Sequence, residues 1–148
     1  MKPLSAFDDR TARVALSRLG EPGQESLRDA VTTYGAVETL ERLLGGSLTL
    51  KGVTPSRFDA GTLEEDGRKA ERLGARILIP ADAEWPGQLS DLAVPPLCLW
   101  VRGPIDLGAV TERSIALVGA RSATSYGTQV ASDLAAGLCE RGFAVISG

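Results

Sequence analysis

The residues best suited to chemistry lie together in one loop, Gly119–Gly127, which reads GARSATSYG. Its three aliphatic hydroxyl side chains, Ser122, Thr124 and Ser125, can donate hydrogen bonds to phosphate oxygens. Arg121 adds a planar, permanently charged fork whose geometry matches a phosphate group. The residue types of this loop therefore predict an anion site rather than a nucleophile or a metal centre.

The position of the loop strengthens this interpretation. It follows an apolar run, Ser114–Gly119, which predicts a buried strand, and it precedes a helical pattern over residues 128–141. Ligands of open α/β sheets bind at the carboxyl edge of the strands, where the next helix directs its free N–H groups and positive dipole end. Five residues are predicted to bind DNA or another phosphate: Gly119, Arg121, Ser122, Ser125 and Gly127.

Two well-known phosphate motifs do not fit this loop. A dinucleotide fingerprint requires G-x-G-x-x-G, whereas these glycines are eight residues apart. A P-loop requires a lysine before its Ser or Thr, and the loop has none. The alternative is structural: Arg121 pairs with a neighbouring carboxylate and binds no ligand.

Composition argues against several classes of site. The chain has no histidine, and its two cysteines, Cys98 and Cys139, stand in separate apolar runs. We therefore expect buried free thiols, with no transition-metal site, no catalytic residue and no cofactor. The net charge is −3, so any nucleic-acid binding must come from a local site. The amino terminus lacks a signal-like apolar run, which predicts a cytoplasmic, non-membrane protein.

The elements that must position the loop form a strand–loop–helix–strand pattern, with Phe143–Ile146 as the second strand. This pattern predicts a parallel βαβ unit, the start of a Rossmann-like doubly wound sheet in an α/β protein. The sequence stops directly after that second strand, so we expect the natural domain to continue beyond Gly148.

Helical patterns occupy the amino-terminal part of the chain. Apolar residues recur at helical spacing from Ala12 to Leu44, with breaks at Gly20–Gly23 and Gly45–Gly46, and Ser26 is a candidate cap for the second helix. The first break is similar to a helix-hairpin-helix turn, which binds DNA phosphates through backbone N–H groups. Glu21 places a negative charge there, so a packing or protein-interaction module is favoured.

The sequence thus predicts three regions: a helical domain at residues 1–46, a linker at 47–61 and an incomplete Rossmann-like domain at 62–148. The last region starts with a charged helix, Leu63–Leu73, stopped by Gly74. Two tryptophans follow, and we expect both to pack rather than stack on bases, with Trp85 holding the linker region against the sheet.

Several motifs resemble the DNA-processing protein A (DprA/Smf) family, in the family's order. They are Trp85–Leu89 (WPGQL), Pro95–Gly103 (PPLCLWVRG), Ile115–Arg121 (IALVGAR) with Ser125–Gly127 (SYG), and Val145–Gly148 (VISG). The resemblance covers about residues 10–148 and is looser in the amino-terminal helices, a region that in the family is often SAM-like or helix-hairpin-helix-like.

This resemblance implies a single-stranded-DNA-binding mediator of homologous recombination. Such proteins protect DNA during natural transformation in competent cells, help load the RecA recombinase, act as homodimers and need no catalytic step. The family's DNA-contact arginine falls on Arg121 and its preceding glycine on Gly119. Ala120 departs from the Ser or Thr of many relatives, which removes one hydroxyl donor.

Two other functions stay open from the residues alone. One is a nucleotide-phosphate-using Rossmann enzyme of the lysine-decarboxylase-like type, which also binds phosphate after its first strand. The other is a helical protein-interaction module in which the amino-terminal helices are the working part. A Ser-Gly-x-Ala-x-Gly-Ile-Asp sequence after the second strand would favour the family, and Pro-Gly-Gly-x-Gly-Thr would favour the enzyme.

Overall fold

Three short helices open the described chain, and each ends where the sequence interrupts its apolar periodicity. They are α1 (Asp9–Leu19), α2 (Glu25–Tyr34) and α3 (Ala36–Leu44). The structure, a computed structural model, describes residues 7–148, so the first six residues of the predicted helical domain lie outside the described residues. The predicted breaks after Leu19 and at Gly45 are confirmed.

The starts of α1 and α2 differ in how they are capped. Asp8 precedes α1, and its Oδ1 accepts the N–H of Thr11 at 2.8 Å. Hydrogen bonds from Thr11 hold the pKa of Asp8 below its ordinary value. The predicted cap of α2 is wrong, because the helix begins at Glu25 and Ser26 lies inside its first turn. The Ser26 hydroxyl instead donates to the Lys51 carbonyl at 3.3 Å, since the chain after α3 passes this end of α2.

The apolar faces of the three helices enclose one core. Its buried members are Ala12, Ala15, Leu16, Leu19, Leu27, Ala36, Leu40, Leu43 and Val53. Val53 comes from the stretch predicted as a linker, and the next N–H, of Thr54, donates to the Leu19 carbonyl at 2.8 Å. A 3₁₀ turn follows at Pro55–Arg57. Leu48, Leu50 and Phe58 also pack against this core, so residues 47–59 lie along the three helices and remove apolar surface from water.

Helix α4 (Ala60–Arg72) follows that stretch and starts three residues before the predicted Leu63. The reason is the Asp59 side chain, which accepts the Gly61 N–H at 2.9 Å and the Thr62 hydroxyl at 2.6 Å. Gly74, with a φ of +62°, ends the helix as predicted, since a left-handed residue is cheapest for glycine.

A small antiparallel sheet follows α4. Its strands are β1 (Ala75–Leu78) and β2 (Leu99–Arg102), with Ile77 opposite Trp100 and Leu78 opposite Leu99. The short apolar runs Ala75–Pro80 and Leu97–Val101 predict these two strands from the sequence, and the observed bounds agree within two residues. Between them the chain makes a 3₁₀ turn at Gly87–Asp91.

The remaining elements form a parallel strand pair connected by a helix. In chain order they are α5 (Leu107–Thr111), β3 (Ser114–Ala116), α6 (Ser125–Glu140) and β4 (Ala144–Ile146). Strands β3 and β4 are parallel, with Ile115 opposite Val145. The βαβ prediction is confirmed, and residues 7–148 form a mixed α/β structure with two separate two-stranded sheets.

Two details of the βαβ prediction are wrong. The strand ends at Ala116 rather than Gly119, and Val118, predicted inside a buried strand, is 90% exposed. The hydrogen bonds between β3 and β4 stop here because β4 has only three residues. The last of them joins the Leu117 N–H to the Ile146 carbonyl at 2.9 Å. Helix α6 starts at Ser125 rather than 128 because Thr124 caps it.

The chain divides into two compact units, Met1–Pro104 and Ile105–Gly148. In the described part of the first unit the helices enclose the core given above, whereas no residue of the described segment 105–148 is buried. The predicted boundaries after residues 46 and 61 concern domains of the natural protein, which compact units do not define, and they stay a prediction.

Candidate nucleic-acid interface

The loop between β3 and α6 carries the predicted phosphate-binding residues. Gly119, Arg121 and Ser122 lie in the loop, whereas Ser125 and Gly127 lie in the first turn of α6. Every residue from Val118 to Tyr126 is exposed. The structure therefore brings the five residues onto one short, accessible stretch at the carboxyl end of β3, where α/β proteins bind ligands.

The amino end of α6 is built by a threonine cap. Thr124 Oγ1 accepts the N–H of Gly127 at 3.1 Å. That N–H is therefore already engaged, and the free N–H groups expected of a helix start are those before it, on Ser125 and Tyr126. Among the described residues of the first turn, none is acidic, so no carboxylate opposes the positive end of the 16-residue helix.

Arg121 differs from the other two arginines of residues 111–148. The Arg113 guanidinium lies 4.4 Å from the centre of the Phe143 ring, and Arg141 Nη1 donates to the Gly137 carbonyl at 2.6 Å. Arg121 is exposed and forms no ion pair with a carboxylate of residues 7–148. The structural alternative, an arginine neutralised by a neighbouring carboxylate, has no partner in the described part of the chain.

Local sterics do not require glycine at either of the two glycine positions of the loop, Gly119 and Gly127. A Cβ added at Gly119 would meet nothing within 4 Å, and one at Gly127 would meet Thr124 Oγ1 at an ordinary 3.5 Å. Neither glycine has a positive φ. Close approach of a ligand to these backbones is the remaining reason for glycine, and it stays a prediction.

The first unit has an ion pair that sequence reasoning missed. The Arg10 guanidinium donates two hydrogen bonds of 2.7 Å to the Asp82 carboxylate, which also accepts the Ile79 N–H at 2.8 Å. The hydrogen bonds from Arg10 are the largest cause, and together with the Ile79 N–H they lower the pKa of Asp82 to about 2. The pair joins α1 to the turn after β1. Its partners are 72 residues apart, so no local pattern could have indicated it.

The turn that resembles a helix-hairpin-helix lines a cavity of about 180 Å³ in the first unit. Gly20–Gln24 contribute one wall and Val94–Cys98 the other. Glu21 lies 3.6 Å from Arg57 in an exposed ion pair. The turn thus packs beside its own chain, with a carboxylate at the place where a helix-hairpin-helix would receive phosphate.

The tryptophans differ from each other, although both were expected to pack. Trp85 is 8% exposed, and its Nε1 has no hydrogen-bond partner among the described residues. Trp100 is 45% exposed, so the packing prediction is wrong for it. The reason is strand alternation: Leu99 and Val101 point to the half-buried face of β2, and Trp100 and Arg102 point to the exposed face.

The cysteines are both free, as predicted, but neither is fully buried as expected, and Cys98 is half-buried. Burial raises the pKa of the Cys98 thiol. Cys139 is exposed, contrary to the prediction, because this face of α6 packs against nothing that covers it. Within residues 7–148 no group of three or more metal-ligating side chains comes together. None of the helices described there has the length and apolarity to cross a membrane.

Comparison with known proteins identifies the family. The family described as DNA recombination-mediator protein A matches residues 76–148. A putative DNA processing protein DprA of Mycobacterium tuberculosis (strain H37Rv) is 38% identical over 155 residues, which cover 95% of this chain and 40% of the relative. The protein of the same name in strain CDC 1551 matches equally.

A more distant relative gives the same assignment. The DNA processing protein DprA of Bacillus subtilis (strain 168) is 34% identical over 75 residues, which cover 51% of this chain and 25% of that protein. The chain thus spans about 40% of the length of the mycobacterial relatives it matches. On these matches, the chain belongs to the DNA recombination-mediator protein A family.

Proposed function

We propose that the protein containing this chain binds single-stranded DNA as a recombination mediator. In this proposal it protects incoming strands during natural transformation and helps load the RecA recombinase. It acts as a homodimer, binds DNA on a Rossmann-like sheet and catalyses no reaction. The contacts with RecA and with the second copy lie in parts of the protein other than this chain. A cytoplasmic location remains a prediction.

The observation that carries the proposal is that Arg121 is exposed and has no carboxylate partner in the described residues. It lies beside the uncapped N–H groups of a long helix. Such a helix start favours a negatively charged ligand, and arginine adds bidentate donors. In a family of recombination mediators, the fitting anion is the DNA backbone, held together with Gly119, Ser122, Ser125 and Gly127.

The replacement Arg121→Ala in the full-length protein tests this site. We expect binding to oligo-dT to weaken by about 1–3 kcal/mol, the scale of hydrogen bonds to charged groups. The slope of log affinity against log salt should flatten by about one unit, because one phosphate contact is lost. Fluorescence anisotropy with labelled oligo-dT at several salt concentrations measures both quantities.

Arg141→Ala is the matched control. It removes the same charge from the same unit, but Arg141 already donates to its own helix at the Gly137 carbonyl. We expect its affinity and salt slope to equal those of the unmodified protein. If Arg121→Ala folds normally and behaves like this control, Arg121 is not a DNA contact. If the unmodified protein does not bind oligo-dT at all, the proposed function is wrong.

A further inference from the structure

A second feature suited to nucleic acid lies in the first unit, around the exposed face of the small antiparallel sheet. Trp100 stands on that face, and the neighbouring cavity has a volume of about 350 Å³, at the lower end of the roughly 300–1,000 Å³ of ligand pockets. Val14, Ala70 and Leu73 supply its other apolar surface. The cavity is thus an aromatic wall beside aliphatic side chains, open to solvent.

Charged groups surround this aromatic surface. Arg18 and Lys69 line the cavity together with Asp66, and Arg102 shares the exposed face of β2 with Trp100. Arg18 binds the Asp66 carboxylate, whose side chain is only 21% exposed, so this acid is enclosed by its own cation. Lys69 pairs with Glu65 at 3.0 Å, with both side chains about half exposed. Arg102 pairs with no carboxylate in the described residues.

The charges therefore favour an anionic ligand with a planar apolar part. Arg18 and Asp66 neutralise each other, which leaves two cations, Lys69 and Arg102, against one carboxylate, Glu65. The pair of Lys69 with Glu65 is exposed, and pairs of that kind contribute little, so a phosphate can replace the carboxylate. A protein partner that inserts only an aliphatic side chain would leave Arg102 and Lys69 without a role.

We infer that Trp100 is a base-stacking platform for single-stranded DNA, with Arg102 and Lys69 beside it as phosphate contacts. Proteins that hold single strands without sequence preference combine aromatic faces with neighbouring cations in this way. The inference rests on the proposed function and adds a contact in the first unit, whereas Arg121 belongs to the second. Trp85, which is buried, has no comparable role.

The test uses the full-length protein and three variants. Trp100→Leu keeps an apolar side chain but removes the ring, and Trp100→Phe keeps a smaller ring. Tyr34→Leu is the matched control, because Tyr34 is also exposed on the first unit but its ring is already covered by Arg42 at 4.2 Å. Thermal melts establish that each variant is folded, and anisotropy measures binding to oligo-dT.

We expect Trp100→Leu to bind oligo-dT about tenfold more weakly, the scale of losing one stacked base, and Trp100→Phe to stay within about threefold. Tyr34→Leu should match the unmodified protein. The decisive arm uses an abasic strand of the same length: without bases to stack, Trp100→Leu and the unmodified protein should bind it equally.

Each result decides between distinct conclusions. A folded Trp100→Leu that binds oligo-dT normally overturns the stacking platform and leaves the proposed function standing. An equal loss of affinity for the abasic strand also overturns the stacking platform, because the Trp100 ring would then contact the DNA backbone or stabilise the fold of the protein. If the unmodified protein binds no oligo-dT, the proposed function fails and this inference with it.

Discussion

The two compact units differ in what they do with apolar side chains. In the first unit, three helices and the stretch after them bury nine residues in one core. In the second, one longer helix and two three-residue strands leave Val118, Leu134 and Ile146 exposed. A layer of secondary structure buries its apolar face only against another layer, and the second unit has a single strand pair beside its helices. The first unit therefore has a buried apolar core, whereas residues 105–148 have only half-buried and exposed side chains.

The largest expected effect tests this difference directly. Leu16→Ala in the first unit should lower the free energy of unfolding by about 2–5 kcal/mol, because Leu16 is fully buried and its loss leaves a cavity. Leu134→Ala in the second unit is the control: the residue is 52% exposed, and the effect should stay within about 0.5 kcal/mol. Urea unfolding measures both. Equal losses would mean that Leu134 is covered in solution and that the comparison is wrong.

The second prediction concerns the helix start in the unit without a core. Thr124→Ala removes the cap that binds the Gly127 N–H and should cost about 1 kcal/mol of helix stability. Amide hydrogen exchange along α6 measures it, and the first turn should lose most protection. Thr128→Ala serves as the control, since its hydroxyl bonds only the Thr124 carbonyl within the same helix. Unchanged exchange after Thr124→Ala would show that the cap does not hold this helix.

Sequence reasoning located the elements whose signals are local. The apolar face from Ala12 to Leu19 depends on periodicity, and the stops at Gly46 and Gly74 depend on the positive φ of these glycines. Short windows of sequence contain both signals. The start of α6 was placed three residues late because the apolar stripe begins at Val130. The cap at Thr124 also lacks the Glu or Gln that makes a capping box recognisable.

The features that were missed depend on distant parts of the chain. The exposure of Trp100 and Cys139 depends on which elements cover β2 and α6, and apolar neighbours in sequence do not determine that. The candidate site was partly predictable: a basic, hydroxyl-rich loop between strand and helix already indicates an anion. Only the structure shows that Arg121, unlike Arg113 and Arg141, has its guanidinium unengaged by neighbouring residues.

The smallest expected effect comes from the ion pair between α1 and the turn after β1. Asp82→Asn should destabilise the first unit by about 0.5–1 kcal/mol at pH 7, the range of partly exposed pairs. The pKa of Asp82 is lowered from 3.8 to about 2 in the folded chain, so the charged carboxylate stabilises the fold fully above about pH 4. That contribution is lost as the pH falls through the folded value. The difference between the variant and the unmodified chain, measured by urea unfolding, should therefore shrink from pH 5 toward pH 2.

Asp9→Asn separates this effect from a general loss of negative charge. Asp9, whose side chain is about half exposed, pairs with Arg13 one helical turn away, so the pair connects no two elements. We expect its replacement to change stability by a few tenths of a kcal/mol. Hydrogen exchange adds the comparison between units: Asp82→Asn should release amides of α1 and β1 and leave α6 unchanged, because Arg10 and Asp82 both belong to the first unit. If the free energies of unfolding of Asp82→Asn and Asp9→Asn differ by the same amount at pH 5 and at pH 2, the charge of Asp82 does not contribute to stability.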